Sequence, residues 1–410
     1  MACLCRTHAG IDADEQDADA GLEPVGEAQV GPITFPGTGA WHPTNISVER
    51  QTLRKILFNV HLVVGLIAAA FVVVLGVTGS IMAFEGEIDR MTHPHLFRVT
   101  PQAQPLSLAA LTTRDRASVP GKITTWGLGG APDLSYLFAA TEGVVFVNQY
   151  TGEVLGTRTS PTWLDYVHQF HLRLLAGNTG KTIVSWAGVA LVLLTLSGLY
   201  LWWPVKRLSI NFAAGGRRPW FDLHNTVGVL SFAFLFVLSL TGIVIGFERT
   251  TTPLLYKMAG GQPSPQIIPV TPVPGAKIIS PDEAIAIASR QLPGAVPIYV
   301  NVAGGKMPYR VAFRFPEDLT PGGRSRVLIN PYDGKVLQVE SSRATTPGAH
   351  LITLNRAIHT GDVFGLPGKL LMSLMSLAAA AQVCTGIVMW WKRRRIYRHE
   401  VAVQGRADAL

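Results

Sequence analysis

Charge is scarce in this chain: Asp, Glu, Lys and Arg make up 15% of its 410 residues, against roughly 25% in an ordinary soluble domain. With 48% hydrophobic residues, that deficit indicates a membrane protein. Cysteine is almost absent, and Cys3, Cys5 and Cys384 fall in the N-terminal tail and an apolar run, which excludes a disulfide framework. Asp, Glu and Lys are missing altogether from four long apolar stretches near 62–84, 182–205, 225–247 and 370–391. A proton-coupled transporter usually buries such groups within its spans, so this absence argues against one. No GxGxxG follows a strand, and the cytoplasmic segments expected below are too short for a dinucleotide-binding fold. The net charge of +8 concentrates at the ends of the apolar stretches, which suits contact with anionic membrane lipid and makes no case for nucleic acid.

Each apolar stretch is about long enough to cross a ~30 Å hydrocarbon core as a helix. Arg50, Arg54 and Lys55 precede the first, Lys206, Arg207, Arg217 and Arg218 lie between the second and third, and Lys392 to Arg395 and Arg398 follow the fourth. Short cytoplasmic loops hold the excess Lys and Arg, so both termini and the middle loop are expected in the cytoplasm. Trp202-Trp203 and Trp390-Trp391 fit the aromatic belt on that side. The expected order is a disordered cytoplasmic tail (1–52), a first span (53–84), an outer module with a histidine segment (85–181), a second span (182–205), a cytoplasmic loop (206–222), a third span (223–247), a second outer module with a histidine segment (248–368), a fourth span (369–391) and a cytoplasmic tail (392–410). The tail before residue 45 is acidic, Gly-rich and poor in apolar residues, without the apolar run of a signal peptide. The first span is expected to serve as an uncleaved signal anchor.

The chain is written twice. His61 is followed by Gly at +4, Thr78-Gly79 and Phe84-Glu85, and His224 by Gly228, Thr241-Gly242 and Phe247-Glu248 at the same distances. His171 precedes Lys181, Ser197-Gly198 and Trp202-Trp203 as His359 precedes Lys369, Thr385-Gly386 and Trp390-Trp391. Self-similarity without insertions is the signature of a structural repeat. A lone intramembrane histidine is more often a hydrogen-bonding residue between helices than a ligand, at odds of roughly four to one. Its repetition changes that weighing.

In the expected topology His61 and His224 form one layer near the cytoplasmic ends of the spans, and His171 and His359 a second at the outer side. Each layer draws one histidine from each repeat, and two facing imidazoles suit six-coordinate haem iron. Gly65, Gly76 and Gly79, with Gly228, Ser239 and Gly242, fall on or near the faces of His61 and His224. Gly198 and Gly386 are expected opposite the first layer, and Gly79 and Gly242 opposite the second, where a porphyrin edge fits; tight helix packing explains the same glycines without haem. Gly177-Asn178-Thr179-Gly180 and Gly365-Leu366-Pro367-Gly368 are expected to break the helices and let the chain fold back. His168 has no histidine counterpart in the second repeat and is a reserve ligand or substrate contact. His93 and His95 are read as surface residues near a turn, His350 lacks a counterpart in the other repeat, and His8, His42 and His399 lie outside the core. Structural zinc is a weaker alternative, because it needs three or four ligands at one depth.

The segments between spans also repeat. VVFVNQYTGEVLGTRT and RVLINPYDGKVLQVES each read as strand, turn and strand. SPDEAIAIASRQL reads as a helix capped by Ser280 with Pro281 in its first turn, and PLSLAALTTR is a weaker version. Two small α+β modules are expected, one per repeat. Residues 249–358 hold 12 Lys and Arg against 6 Asp and Glu, a balance that favours an anionic substrate.

Over roughly residues 53 to 399 the chain resembles the PepSY-associated transmembrane family. The resemblance rests on His61 with Thr78-Gly79, FHLRLLAGNTGK, LHNTVG, IHTGDVFGLPGK, the two Gly-x-x-x-Trp-Trp endings, SPDEAIAIA and NPYDGKVL. It implies an α-helical membrane protein of two TM-PepSY-TM repeats in a bacterial inner membrane, with periplasmic PepSY-like modules. It further implies two haem b groups ligated by His61, His224, His171 and His359, and electron transfer to a periplasmic ferric chelate, a ferric siderophore by class. Some relatives carry a fused flavin and nicotinamide reductase, and none is expected here, for want of the GxGxxG signature noted above. Quinol or a separate cytoplasmic reductase is therefore the expected electron donor. The open alternatives are a membrane-anchored PepSY binding module that modulates a periplasmic peptidase, and a haem electron carrier to another acceptor.

Overall fold

The structure, a computed structural model, describes residues 44–114, 119, 121–204, 206, 208–263 and 268–407, the side chains of 44–49 and 396–407 excepted. The tail before residue 44, with Cys3, Cys5, His8 and His42, lies outside the described residues, as do Arg207 and the side chains of Arg398 and His399. Everything below concerns the compact unit Gln51–Leu410.

Four helices are long and apolar enough to cross a membrane: α1 (Thr44–Met82), α6 (Gly177–Trp202), α7 (Arg218–Gly246) and α11 (Gly365–Ala407). All four run past the expected spans by at least five residues at one end, because residues outside the apolar run continue the backbone hydrogen bonding. Small residues set the packing. A Cβ on Gly76 would lie 2.7 Å from the Ser376 carbonyl oxygen, so α1 and α11 approach backbone to backbone. Ser376 donates to the Gly76 carbonyl at 3.0 Å, and the hydroxyls of Ser80 and Ser373 touch. Ala68, Val72, Leu235 and Ala379 form a dry centre among the helices, while side chains such as Ile67, Leu230 and Leu374 face outward, as a lipid-facing surface requires.

Between α1 and α6 the chain forms α2 (Glu85–Thr92), α3 (Pro94–Phe97), α4 (Leu108–Arg114), β1 (Ile123–Gly127), β2 (Tyr136–Ala140), β3 (Gly143–Val147), β4 (Val154–Thr159) and α5 (Trp163–Arg173). Between α7 and α11 it forms α8 (Glu248–Ala259), α9 (Pro281–Gln291), β5 (Val296–Asn301), β6 (Tyr309–Arg314), β7 (Ser325–Ile329), β8 (Val336–Glu340) and α10 (Pro347–Thr360). The predicted hairpins are β3–β4 and β7–β8. Their turns are built alike: the side chains of Asn148 and Asn330 accept from the backbone N–H groups of Tyr150 and Tyr332, and Gly152 and Gly334 take φ of +69° and +71°, a region glycine enters without penalty. Ser280 caps α9 as expected, accepting from Glu283 at 3.1 Å.

The two sets of strands do not form two bodies. They join edge to edge, β1 against β5, in one eight-stranded antiparallel sheet of order β4-β3-β2-β1-β5-β6-β7-β8. Pairing the β1 and β5 edges removes two rows of unpaired backbone groups that separate modules would expose. A single core then lies under α4 and α9, built from Leu111, Phe138, Val145, Ala284, Val311, Phe313 and Val327 among others. The tie extends to Asp282 on α9, whose carboxylate accepts from the backbone of Leu108 and Ala109 on α4.

Phe313→Ala, a change in the second half, removes a fully buried ring at a cost of about 3–5 kcal/mol. Hydrogen exchange should show β1–β3 losing protection together with β6–β8; unchanged protection in β1–β3 would mean that the halves fold independently.

Candidate functional site

Two histidine pairs lie at the two ends of the helix bundle. His61 on α1 and His224 on α7 have ring centroids 6.4 Å apart with planes at 88°. His171 on α5 and His359 on α10 are 6.5 Å apart at 53°. Gly79, which packs on His171, lies eighteen residues along α1 from His61, so about 27 Å of helix separates the levels. The dry centre around Val72 and Leu235 lies between them.

α5 and α10 bring the second pair to the bundle. Thr162 and Asp165 form a reciprocal capping box at the start of α5, and Thr346 caps α10 with Pro347 in its first turn. Each helix carries its histidine in the last turn. The chain then reverses through Leu174, Leu175 and Gly177, or through Gly361 and Gly365, all at positive φ. The break therefore ends at the first glycine of each predicted motif, Gly177 or Gly365, and the remaining residues of the motif are helical. Gly180 and Gly368 serve a different purpose: a Cβ on either would collide with the backbone carbonyl of Arg173 or Gly361, so glycine lets the folded-back strand of chain abut the next helix.

One construction holds all four rings. His61 Nδ1 lies 2.9 Å from Ser197 Oγ, His224 Nδ1 2.8 Å from Thr385 Oγ1, His171 Nδ1 3.1 Å from Thr78 Oγ1, and His359 Nδ1 2.9 Å from Thr241 Oγ1. Each hydroxyl also donates to a carbonyl one turn earlier on its own helix, those of Leu193, Ala381, Val74 and Val237 at 2.6–3.0 Å. A hydroxyl has one proton. Because that proton goes to the carbonyl, the imidazole Nδ1–H must be the donor to the hydroxyl oxygen. Each ring is thereby fixed in the tautomer whose Nε2 carries a lone pair, the form that ligates a metal.

The glycine following each hydroxyl residue makes room for the ring. A Cβ would stand 3.4 Å from His61 Cε1 at Gly198, 3.6 Å from His224 Cε1 at Gly386, 2.9 Å from His171 Cε1 at Gly79 and 3.2 Å from His359 Cε1 at Gly242. Each of these four glycines thus faces the edge of an imidazole. Gly76 packs on α11, as above. Gly65, Gly198, Gly228 and Gly386 line a cavity of about 690 Å³ that also contains His61 and His224. Its middle is apolar, with Leu62, Leu194, Phe232 and Val383, and Arg54, Lys55, Arg217 and Arg393 lie along its lining.

The structure does not bring His168 to a pair. Its Nδ1 bonds Glu85 Oε2 at 3.1 Å, and that bond holds its pKa above the usual 6.5 against the opposing effect of burial. The residue at the matching place in the second repeat is Arg356, also three before its histidine. The repeated Phe-Glu pairs open α2 and α8, where Glu85 meets His168 and Glu248 meets Lys181 at 2.6 Å. Lys369, the counterpart of Lys181, bonds Glu87 at 2.9 Å. His93 pairs with Asp89, His350 is exposed, and Trp186 is 60% exposed against Phe247, the position of an interface anchor. The hydroxyl brackets were visible in the sequence as repeated Ser-Gly and Thr-Gly pairs; what the sequence lacked was the helix on which each pair meets its ring. Among the described residues no three His, Cys, Asp or Glu side chains converge as a metal cluster, so each pair offers two protein ligands.

Nitrogen-15 spectra of imidazole-labelled protein should show Nδ1 protonated in all four rings. Thr385→Val should abolish that signature for His224 and Thr385→Ser retain it; a His224 ring unaffected by Thr385→Val would contradict the bracket. At His168 the raised pKa means that its pairing with Glu85 contributes below pH ~6.5 and is lost as pH rises through the folded value. Glu85→Gln should lower the His168 pKa in an NMR titration, and an unchanged value would remove Glu85 as the cause.

Comparison with known proteins agrees with this architecture. An uncharacterized protein of Pseudomonas aeruginosa is 33% identical over 100 residues, 23% of this chain and 25% of that protein; the match thus spans about a quarter of that relative's length. The family model described as the PepSY-associated TM region matches residues 58–393, which take in most or all of each of the four spans and both histidine pairs. The chain is a multi-pass membrane protein and belongs to the PepSY-associated transmembrane family.

Proposed function

We propose that this protein is an inner-membrane dihaem b-type oxidoreductase that moves electrons across the bilayer to a periplasmic ferric chelate, a ferrisiderophore by class. The spacing of the ring pairs carries this reading. Two metal–imidazole bonds of about 2.0–2.1 Å, with ring radii of about 1.1 Å that follow from ~1.33 Å bonds, separate ring centres by about 6.2–6.4 Å. The pairs stand at 6.4 and 6.5 Å. Two ligands per site suit a macrocycle that fills the other four iron positions itself, and haem b held at each pair would supply one-electron redox chemistry.

The residues around the pairs support it. Ser197, Thr385, Thr78 and Thr241 hold each ring by Nδ1, which orients Nε2 and raises its basicity as a ligand. The cavity at His61 and His224, at about 690 Å³, lies within the ~300–1,000 Å³ of cofactor sites. Its basic end belongs in the cytoplasm by the positive-inside rule, which puts both termini there and the sheet in the periplasm beside His171 and His359. Electrons enter from quinol or a separate cytoplasmic reductase. Each ferric ion takes one electron, and the ferrous ion leaves a chelator selective for ferric iron; a quinol donor would give two electrons and release two protons.

Proteoliposomes with a reductant sealed on the basic side should reduce an impermeant ferric siderophore on the other side. His61→Ala and His171→Ala should each cut the rate by at least about 100-fold while the protein stays folded. Rates equal to those of protein-free vesicles would remove the reductase reading, and a folded wild-type protein without haem would favour the membrane-anchored binding module.

A further inference from the structure

The cavity at His61 and His224 has a chemical polarity that the ring pair alone does not require. Arg54, Lys55, Arg217 and Arg393 all contribute to its lining, and among the described residues no Asp or Glu does. Asp222, the nearest acid in sequence, is buried and bonded to Arg218 at 2.9 Å, so it does not neutralise this cluster. The Nε of Arg217 is buried without a hydrogen-bond partner among the described residues. A buried guanidinium donor left unpaired costs free energy. Arg54 donates to the Leu201 carbonyl at 2.9 Å, which fixes its stem beside the cavity, and Arg393 lies 5.6 Å from the Phe58 ring centre. The positive-inside rule accounts for cations at this end of the helices. It does not account for a buried guanidinium Nε left unpaired beside a cavity with no acid among its described lining residues.

Such a cavity fits a ligand with a flat apolar body and carboxylates at one edge. We infer that Arg217 and Arg54, assisted by Lys55 and Arg393, form a carboxylate clamp for the two propionates of the haem held by His61 and His224, so that the propionate edge faces the basic end of the bundle. This rests on the haem reading above. Arg217 supplies the unpaired buried donor, Arg54 a guanidinium already held in place, and Lys55 and Arg393 the more exposed charges. Charge-assisted bonds from guanidinium to carboxylate are short and strong, and cations at the propionates stabilise the reduced haem less than they would the bare iron charge but in the same direction, raising the potential.

The experiment uses full-length protein carrying His171→Ala, which retains only the His61–His224 site, stripped of haem and reconstituted with haem b or its dimethyl ester. Haem b should bind at least about tenfold more tightly than the ester, the loss expected for one charge-assisted bond. Arg217→Gln should erase most of that difference and lower the midpoint potential of this haem, and Arg217→Lys should restore part of both. In protein with both histidine pairs intact, the potential of the other haem should stay unchanged. Equal binding of haem and ester, or an unmoved potential in Arg217→Gln, would overturn the clamp while leaving the haem reading intact. The same holds if the substitution alters only co-purifying anionic lipid. Failure of the unsubstituted protein to bind haem would overturn both.

Discussion

The structure depends on a requirement of the imidazole ring within a helix bundle: its Nδ1–H needs an acceptor where water is excluded. Four hydroxyl residues meet it, and each has already spent its own proton on its helix backbone. The ring must therefore donate, and the neighbouring glycine must be bare for the ring to come close enough. Helix spacing, tautomer and free Nε2 are thus consequences of one two-residue motif used four times. The brackets act within each repeat: α6 holds the ring of α1, α1 that of α5, α11 that of α7, and α7 that of α10. The ring contacts act between repeats. Anything bound at a ring pair therefore ties the two halves together.

The sheet makes the same join at the other end. β1 and β5 close the edges that the two strand sets turn toward each other, and α4 and α9 share one core beneath them. α5 and α10 then run from the last strand of each set back to the bundle. Their C-terminal turns deliver His171 and His359, and ion pairs such as Lys369 with Glu87 and Lys181 with Glu248 brace the reversals across repeats. Position of the second ring pair is set by both the sheet and the helices.

Much of this was legible in the sequence because repetition marks positions under a shared constraint. His61, His224, His171 and His359 were identified by spacing, and the structure brings them together in the expected two pairs. The hairpins and the Ser280 cap were legible because turn and cap chemistry is local. What failed was the three-dimensional use of small residues. That Gly79, Gly198, Gly242 and Gly386 abut imidazole edges depends on helix rotation, which spacing alone does not give. Of the two motifs read as breakers, Gly177 and Gly365 take part in the reversal, whereas Gly180 and Gly368 are points of backbone contact. The joining of β1 to β5 was invisible because Thr125 and Asn301, far apart in sequence, carry no local sign of pairing. His168 lacked a histidine counterpart, and Arg356 stands in that place.

The most direct measurement is the absorption spectrum of the detergent-purified protein, oxidised and then reduced with dithionite, with haem extracted and counted per chain. Two b-type haems per chain with low-spin reduced bands are expected, falling to one when either member of a pair is changed to alanine. A folded protein purified from haem-sufficient cells that shows no haem band would contradict the assignment of the four histidines as ligands.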